Sequence, residues 1–381
     1  MSSVDQTPTV DQVIERVSAV DALPAITDIA ARSVYLRPVF DHAAPGPSTV
    51  PAGWDILVRR TGGALAVRVA PDGLAAWSAA QSTAVQDRLA LLQERVRRRA
   101  TAFAGLSLVR TRVMGIVNVT PDSFSDGGQF ADAAAAIARG QTMVDDGADI
   151  LDIGGESTRP GATPVDPAEE IERVLPVIGG LVGAGPVLSV DSRRAAVMTA
   201  AVSVGATVIN DVTALAGDDS SLITVPALAT REGAEPSIIL MHMQGDPRTM
   251  QDNPRYACAP LDVFDYLADR IAAAEAAGIA RHRMAIDPGI GFGKTVAHNL
   301  QILHWLELLH GLGCPIVLGA SRKGFIARLS RGETARQRLP GSLAVALAGV
   351  RAGVGILRVH DVAATVQALA LWRAVARAAP S

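Results

Sequence analysis

The chain has 381 residues, 49% of them apolar and 19% charged, with a formal net charge of −3. This composition supports a large core, and so balanced a charge leaves no broad basic field for nucleic acid. The longest apolar stretches, such as SIILMHM, fall far short of the roughly 20 residues a membrane helix needs, and the N-terminus lacks the apolar core of a signal peptide. A cytoplasmic protein is expected, with Cys258 and Cys314 as free thiols, since neither has metal-ligand companions nearby.

Residues 1–33 are weakly helical at best. The alternating runs SVYLRPV, WDILVRR and ALAVRVA follow, separated by Pro- and Gly-rich breaks, and predict a small β-meander. A helix is expected from Ala79 to Phe103, ending in the basic run RVRRRA. Arg95, Arg97, Arg98 and Arg99 read there as a solvated helix face, because their surroundings are not basic. After Arg112 the pattern becomes regular. The predicted strands are VMGIVNV, DILDIG, PVLSV, TVIND, SIILMHM, MAIDPG, PIVLGAS and GILRVHD. The helices between them should begin near Asp132, Asp166, Ser192, Asp219, Asp262, His298, Gly341 and Asp361, several with an Asp or Ser cap. Strand–helix alternation argues a parallel sheet, and eight units favour a closed barrel over an open one. An open sheet would usually carry G-x-G-x-x-G after its first strand, and VNVTPDSFSDGG is not that motif. DPGIGFGKT ends like a phosphate-binding P-loop, but Pro288 stands where that motif needs glycine. The expected fold is α/β: a (β/α)8 TIM barrel over residues 112–381, with a small N-terminal α+β extension over residues 1–111.

Chemistry in such barrels gathers at the C-terminal strand ends. Every predicted strand here ends in polar groups: Asn118; Asp152 and Glu156; Asp191; Asn210 and Asp211; His242; Asp287; Ser321, Arg322 and Lys323; Arg358, His360 and Asp361. Helix capping accounts for single cases such as Asp211 or Asp361, but not for all eight ends. Acids and amides lie after strands 3, 4 and 6. Bases lie after strands 7 and 8, joined by Arg159 after strand 2. A carboxylate can accept two parallel N–H bonds from a flat amidine-like edge, and barrel phosphate sites are often built after strands 7 and 8. The residues thus point to a flat nitrogen heterocycle deep in the barrel and a phosphate group at its rim. Loops TPDSFSDGGQF and GGESTRPGATP are candidate lids as well as ordinary surface loops. Met241 and Met243 read as packing groups, as do Trp305 and Trp372, while His242 is either a structural histidine or a lining residue.

The segments MGIVNVTPDSFSDGG, DIGGESTRPGA, SVDS, INDV, LMHMQGDPRTMQ, DPGIGFGK, ASRKGF, GSLA and RVHDV occur in an order and spacing that resemble dihydropteroate synthase. The resemblance implies condensation of 6-hydroxymethyl-7,8-dihydropterin pyrophosphate with p-aminobenzoate, giving 7,8-dihydropteroate and pyrophosphate for folate biosynthesis, with Mg2+ as cofactor. It implies that Asp287 binds the pterin 2-amino and N3 edge, Asp191 and Asn210 the opposite edge, and Lys323 the carbonyl side. Asn118 would hold Mg2+ and pyrophosphate, with Arg159, Arg358 and His360 on the pyrophosphate. Phe124, Thr158, Pro160, Phe292, Lys323 and Gly324 would wall the p-aminobenzoate pocket, and Asp122 would help close it. Relatives commonly pair through barrel helices, so a homodimer is implied.

One departure stands out: Gly324 follows SRK, where many relatives have Ser or Arg. Two other readings use the same scaffold. One is a corrinoid-dependent methyltransferase, which shares the pterin acids but has no use for the pyrophosphate residues Arg358 and His360. The other is a non-catalytic paralogue, which should have lost site positions that are kept here.

Overall fold

The computed structural model describes residues 13–23, 31–40, 50–119, 128–157, 161 and 164–378. The alternating N-terminal runs become β2 (Val34–Val39), β3 (Gly53–Arg60) and β4 (Gly63–Val69), an antiparallel meander, with the short β1 (Ile14–Arg16) parallel to β4. Two helices follow where the sequence suggested one: α1 (Pro71–Ala79) and α2 (Thr83–Arg97). Pro71 stands in the first turn of α1, where proline loses no needed N–H. Then comes a two-stranded hairpin, β5 (Ala102–Phe103) and β6 (Leu106–Ser107). Ala104 and Gly105 take φ of 49° and 76° at its turn, as a tight right-twisting hairpin requires.

The barrel strands are β7 (Arg112–Asn118), β8 (Ile150–Gly154), β9 (Val187–Asp191), β10 (Val208–Asp211), β11 (Ser237–Met241), β12 (Met284–Asp287), β13 (Val317–Leu318) and β14 (Ile356–Val359). They pair in parallel in the order β12-β11-β10-β9-β8-β7-β14-β13. A bridge between Ile286 and Ile316 joins the two ends and closes the ring. The surrounding helices are α3 (Gly128–Asp145), α4 (Pro167–Leu181), α5 (Ala195–Val204), α6 (Ser221–Thr224), α7 (Ala259–Ala276), α8 (Val296–His304), α9 (Gly324–Arg328), α10 (Leu339–Arg351) and α11 (Val362–Arg377). The (β/α)8 expectation holds, with local differences. The fourth helix is only α6, continued by a 3-10 turn at Val225–Ala227. The seventh unit carries two helices, α9 and α10. Asp166 caps α4 by accepting from Ala168 N at 2.9 Å. Asp361 precedes α11 without capping it, because its carboxylate is taken by Arg322.

Alternate strand residues face the barrel interior. The lowest inner layer is apolar: Met114, Ile150, Val208, Ile239, Ala285, Val317 and Ile356 form one buried cluster with Phe103 and Leu108. The β5–β6 hairpin therefore plugs the N-terminal mouth. Counting upward by two from this layer reaches Ile116 and Asn118 on β7, Asp152 on β8, Ser189 and Asp191 on β9, Asn210 on β10, Met241 on β11, Asp287 on β12 and Arg358 on β14. One parity rule thus sends the polar set to one end of the barrel.

The extension packs against the outer face of α7 and the 3-10 helix Leu306–Leu312, sharing one continuous core with the barrel. Tyr35 meets Phe264 edge-on at 5.4 Å between ring centres. Its hydroxyl donates to Asp265 at 2.8 Å, and Arg59 reaches Asp262 at 2.6 Å and Asp265 at 2.8 Å. Arg37 donates to the His304 carbonyl at 3.0 Å and lies over the Trp305 ring at 4.1 Å. The basic run is only partly a solvated face: Arg99 stacks over Phe40 at 4.5 Å, and the Arg95 stem covers Gly313. Both cysteines are free, as expected, and both are buried.

Candidate active site

The mouth of the barrel brings together Asp191, Asn210, Asp287, Lys323 and Arg358, contributed by separate strands and loops. Asp191 and Asn210 are register partners on adjacent strands, as are Met241 and Asp287. Gly319 leaves bare backbone between β12 and β14. A Cβ there would stand 3.4 Å from Asp287 Oδ2 and 3.9 Å from Arg358. Asp287 also accepts from Gly289 N at 2.7 Å. Gly289 must be glycine: its φ is 67°, and a Cβ would meet the His242 carbonyl oxygen at 1.9 Å. This glycine-bent DPGIGFG segment carries Phe292, and Lys323 lies along it with Nζ 3.9 Å from the Phe292 ring centre. Val212, Met241, Met243, Met250 and Phe292 form a small apolar cluster on that side of the mouth.

Arg358 does not project to the rim. Its Nε donates to Asp152 at 2.6 Å and one Nη donates to Asp191 at 2.5 Å, so the guanidinium crosses the pocket floor. Burial raises the Asp191 carboxyl to about 7; Arg358 opposes the rise and Asp152 adds to it. Burial likewise raises Asp287, against Gly289 N–H and Lys323. Burial and the Arg358 charge lower Lys323 to about 8, against Asp287 and Asp191. His360 packs beside Ser321, whose Oγ accepts from His360 N at 3.2 Å and lies 3.1 Å from Nδ1. Burial and Arg322 depress His360 to about 3, so its ring is neutral. Asn118 ends β7 half-buried on the inner face. The site is thus an acceptor-rich floor bordered by cations, suited to a neutral nitrogen heterocycle carrying an anion.

Several sequence candidates lie elsewhere. The His242 ring is one residue out of parity and faces away from the mouth. It meets Tyr266 edge-on at 4.8 Å between ring centres and lies 2.8 Å from Lys294 Nζ, the structural alternative of the two readings. Arg322, grouped with the phosphate bases, sits at φ 60° and turns its guanidinium to Asp361. Asp211 holds its own loop, accepting from Thr213 N at 2.7 Å and Leu215 N at 2.8 Å. Glu156 anchors the base of the second loop through Arg193 at 3.0 Å and Val165 N at 3.2 Å. Gly324 opens α9 and is exposed. Asp122, Phe124, Thr158, Arg159 and Pro160 fall outside the described residues. Sequence reasoning passed over Ser189 and Lys294. Lys294 is 2% exposed and donates to the Phe292 carbonyl at 2.9 Å. Inner parity was the signal that could have found Ser189.

A family model described as a pterin binding enzyme matches residues 114–360. A dihydropteroate synthase of Neisseria meningitidis serogroup B is 46% identical over 275 residues, covering 71% of this chain and 94% of that protein. The solved Xanthomonas albilineans dihydropteroate synthase with 4-aminobenzoic acid is 50% identical with a TM-score of 0.67, covering 73% of this chain and 97% of that one. The same organism's enzyme in complex with 7,8-dihydropteroate is 46% identical with a TM-score of 0.64, covering 72% and 97%. Likeness this close, running through the whole barrel and every strand end just described, means that the chain belongs to the dihydropteroate synthase family of pterin-binding enzymes.

Proposed function

We propose the following division of labour for this synthase, which condenses the pterin pyrophosphate with p-aminobenzoate. Asp287 accepts from the pterin 2-amino group and N3, Asp191 and Asn210 hold the opposite edge, and Lys323 donates to the ring carbonyl. The supporting observation is the convergence of these four groups above a floor crossed by Arg358. His360, Arg159 and the remaining amino group of Arg358 take the pyrophosphate. Phe124, Thr158, Pro160, Phe292 and Gly324 border the p-aminobenzoate site, with Phe292 pressed onto Lys323.

The p-aminobenzoate nitrogen attacks the methylene carbon, the C–O bond to pyrophosphate breaks, and the nitrogen releases a proton. No covalent enzyme intermediate is needed. The residues fix the ring, set the line of attack and stabilise the departing anion. Asn118 would hold Mg2+. Among the described residues no cluster of three or more acidic, His or Cys groups could hold a metal, and one amide oxygen fits an ion that keeps waters and takes substrate phosphate oxygens. When bound, Mg2+ neutralises charge on the leaving pyrophosphate.

We further assign residues 1–111 as a packing module beside the catalytic barrel of residues 112–381, in a cytoplasmic enzyme that forms a homodimer through the barrel helices. Leu371 and Val375 on α11, 58% and 70% exposed, support such pairing. No described helix is long and apolar enough to cross a membrane. The test is turnover of the purified full chain with pterin pyrophosphate, p-aminobenzoate and Mg2+, read as dihydropteroate. Chelation should stop it and Mg2+ restore it. Asp287→Ala should lower kcat/KM about 100-fold, the scale of a lost hydrogen bond to a charged group. A folded chain without turnover overturns the assignment.

A further inference from the structure

One buried carboxylate in the floor belongs to none of the substrate contacts above. Asp152 sits on the inner face of β8, below Gly154, and is 0% exposed. Three donors meet it: Ser189 Oγ at 2.6 Å on Oδ1, Asn210 Nδ2 at 3.0 Å on Oδ2 and Arg358 Nε at 2.6 Å on Oδ2. Two of these donors are the groups assigned to the substrate.

An ionised carboxylate only accepts hydrogen bonds, whereas an amide has one donating and one accepting end. With Asp152 in place, the Asn210 amide cannot turn over without aiming its oxygen at a carboxylate oxygen. Its Oδ1 and its second N–H are therefore fixed toward the pocket. That pair complements the amino and ring-nitrogen pair of an amidine edge. The same carboxylate anchors Arg358 by its Nε, which sets the plane of the guanidinium and aims one Nη at Asp191. A buried polar network discriminates only when each member has a single permitted orientation.

We propose that Asp152 is a positioning residue for pterin recognition, locking the Asn210 amide and the Arg358 guanidinium in the orientation that reads the heterocycle edge. The inference rests on the substrate assignments made above. A carboxylate that merely tied β8 to β14 would influence stability and leave substrate discrimination unchanged.

Asp152→Leu is of similar size and accepts no hydrogen bond, so Asn210 Nδ2 and Arg358 Nε both lose the oxygen that orients them. The expected result is a rise of about tenfold or more in KM for pterin pyrophosphate, the scale of one misplaced hydrogen bond, with KM for p-aminobenzoate within about twofold of the original. The acid limb of the kcat/KM profile should also move to lower pH. The charged groups facing Asp191 are Arg358, Asp152, Glu170, Asp211 and Lys323, and the substitution removes one repelling carboxylate among them. Ser189→Ala keeps both substrate-side bonds and should leave the pterin KM within about twofold of the original.

If Asp152→Leu does not fold, side-chain NMR of the unsubstituted protein decides. A locked amide gives an Asn210 NH2 pair with one slowly exchanging, strongly shifted proton before substrate is added; an averaged pair overturns the proposal. Unchanged pterin KM and acid limb in folded Asp152→Leu overturn it too, while leaving the general site assignment intact. Lack of turnover in the unsubstituted enzyme would instead remove that assignment.

Discussion

Gly324 opens α9 with no atom within 4 Å of where a Cβ would stand. Serine is therefore free to enter, and its hydroxyl would face the p-aminobenzoate carboxylate in the pocket proposed above. One such bond is worth about 1 kcal/mol, so Gly324→Ser should lower KM for p-aminobenzoate about fivefold. The pterin KM should stay unchanged, and an unchanged p-aminobenzoate KM would count against the pocket wall proposed at this residue. Protonation belongs to the same scale. Asp191 accepts an N–H most strongly when ionised, and burial raises it well above the usual carboxylate range, so activity rises as pH climbs through that raised value. Lys323 must be protonated to donate, and burial lowers it to about 8, so activity falls above that value. The kcat/KM profile for pterin pyrophosphate should peak between these limits. Lys323→Arg should carry the alkaline limb upward, because a guanidinium does not titrate there; an unmoved limb would mean that another group sets it.

The β5–β6 hairpin shows how an element outside the catalytic barrel supports it. Phe103 is 2% exposed and lies beneath the lowest barrel layer. Phe103→Ala would empty the plug while leaving the strands in register. Such a truncation costs about 3–5 kcal/mol where neighbours cannot collapse into the space. Denaturant unfolding should report that loss with little change in KM, because the hairpin and the substrate end lie at opposite mouths. A loss below about 1 kcal/mol would mean that the hairpin is loosely seated. The barrel strands argue the same point from the other end: parity from the plug layer upward decides which side chains face substrate. Residue type alone leaves His242 between two roles. Its odd parity after Met241 turns the ring outward, where Lys294 and Tyr266 enclose it.

At the scale of the molecule, the extension is joined to the barrel by shared core and by charge. Asp55 is fully buried beneath Arg37 and also takes bonds from Arg68 at 2.9 Å and Arg16 at 3.3 Å. Burial alone would raise its carboxyl, but Arg68, Arg37 and Arg16 together hold it near 2. A depressed carboxyl stabilises the fold above its unfolded value of about 4. The contribution, about 2 kcal/mol, is lost as pH falls from there through 2. Asp55→Ala should cost about 3–5 kcal/mol at neutral pH, because Arg37 would stay buried without its partner. Thermal unfolding followed from pH 7 to pH 3 checks both: the variant should lose less stability on acidification than the parent, and parallel curves would remove Asp55 from the account.

What could be read from the sequence was local and periodic. Eight apolar runs spaced by helices specify a parallel sheet, because buried parallel strands must be apolar on both faces, and their number favours a closed barrel. Their terminal residues supply the pocket, because parallel strands all end at one mouth. The loop motifs added the family. Contact at a distance could not be read. Asp152 meets Ser189, Asn210 and Arg358 across separations of 37, 58 and 206 residues. Arg358 belonged to the rim by residue type, yet lies across the floor, because two buried carboxylates there need a cation more than the solvated rim does. Arg322 left the phosphate group for Asp361 by the same balance of charge. Residue type and spacing determined which chemistry this chain carries; ring closure decided which neighbour each charge meets.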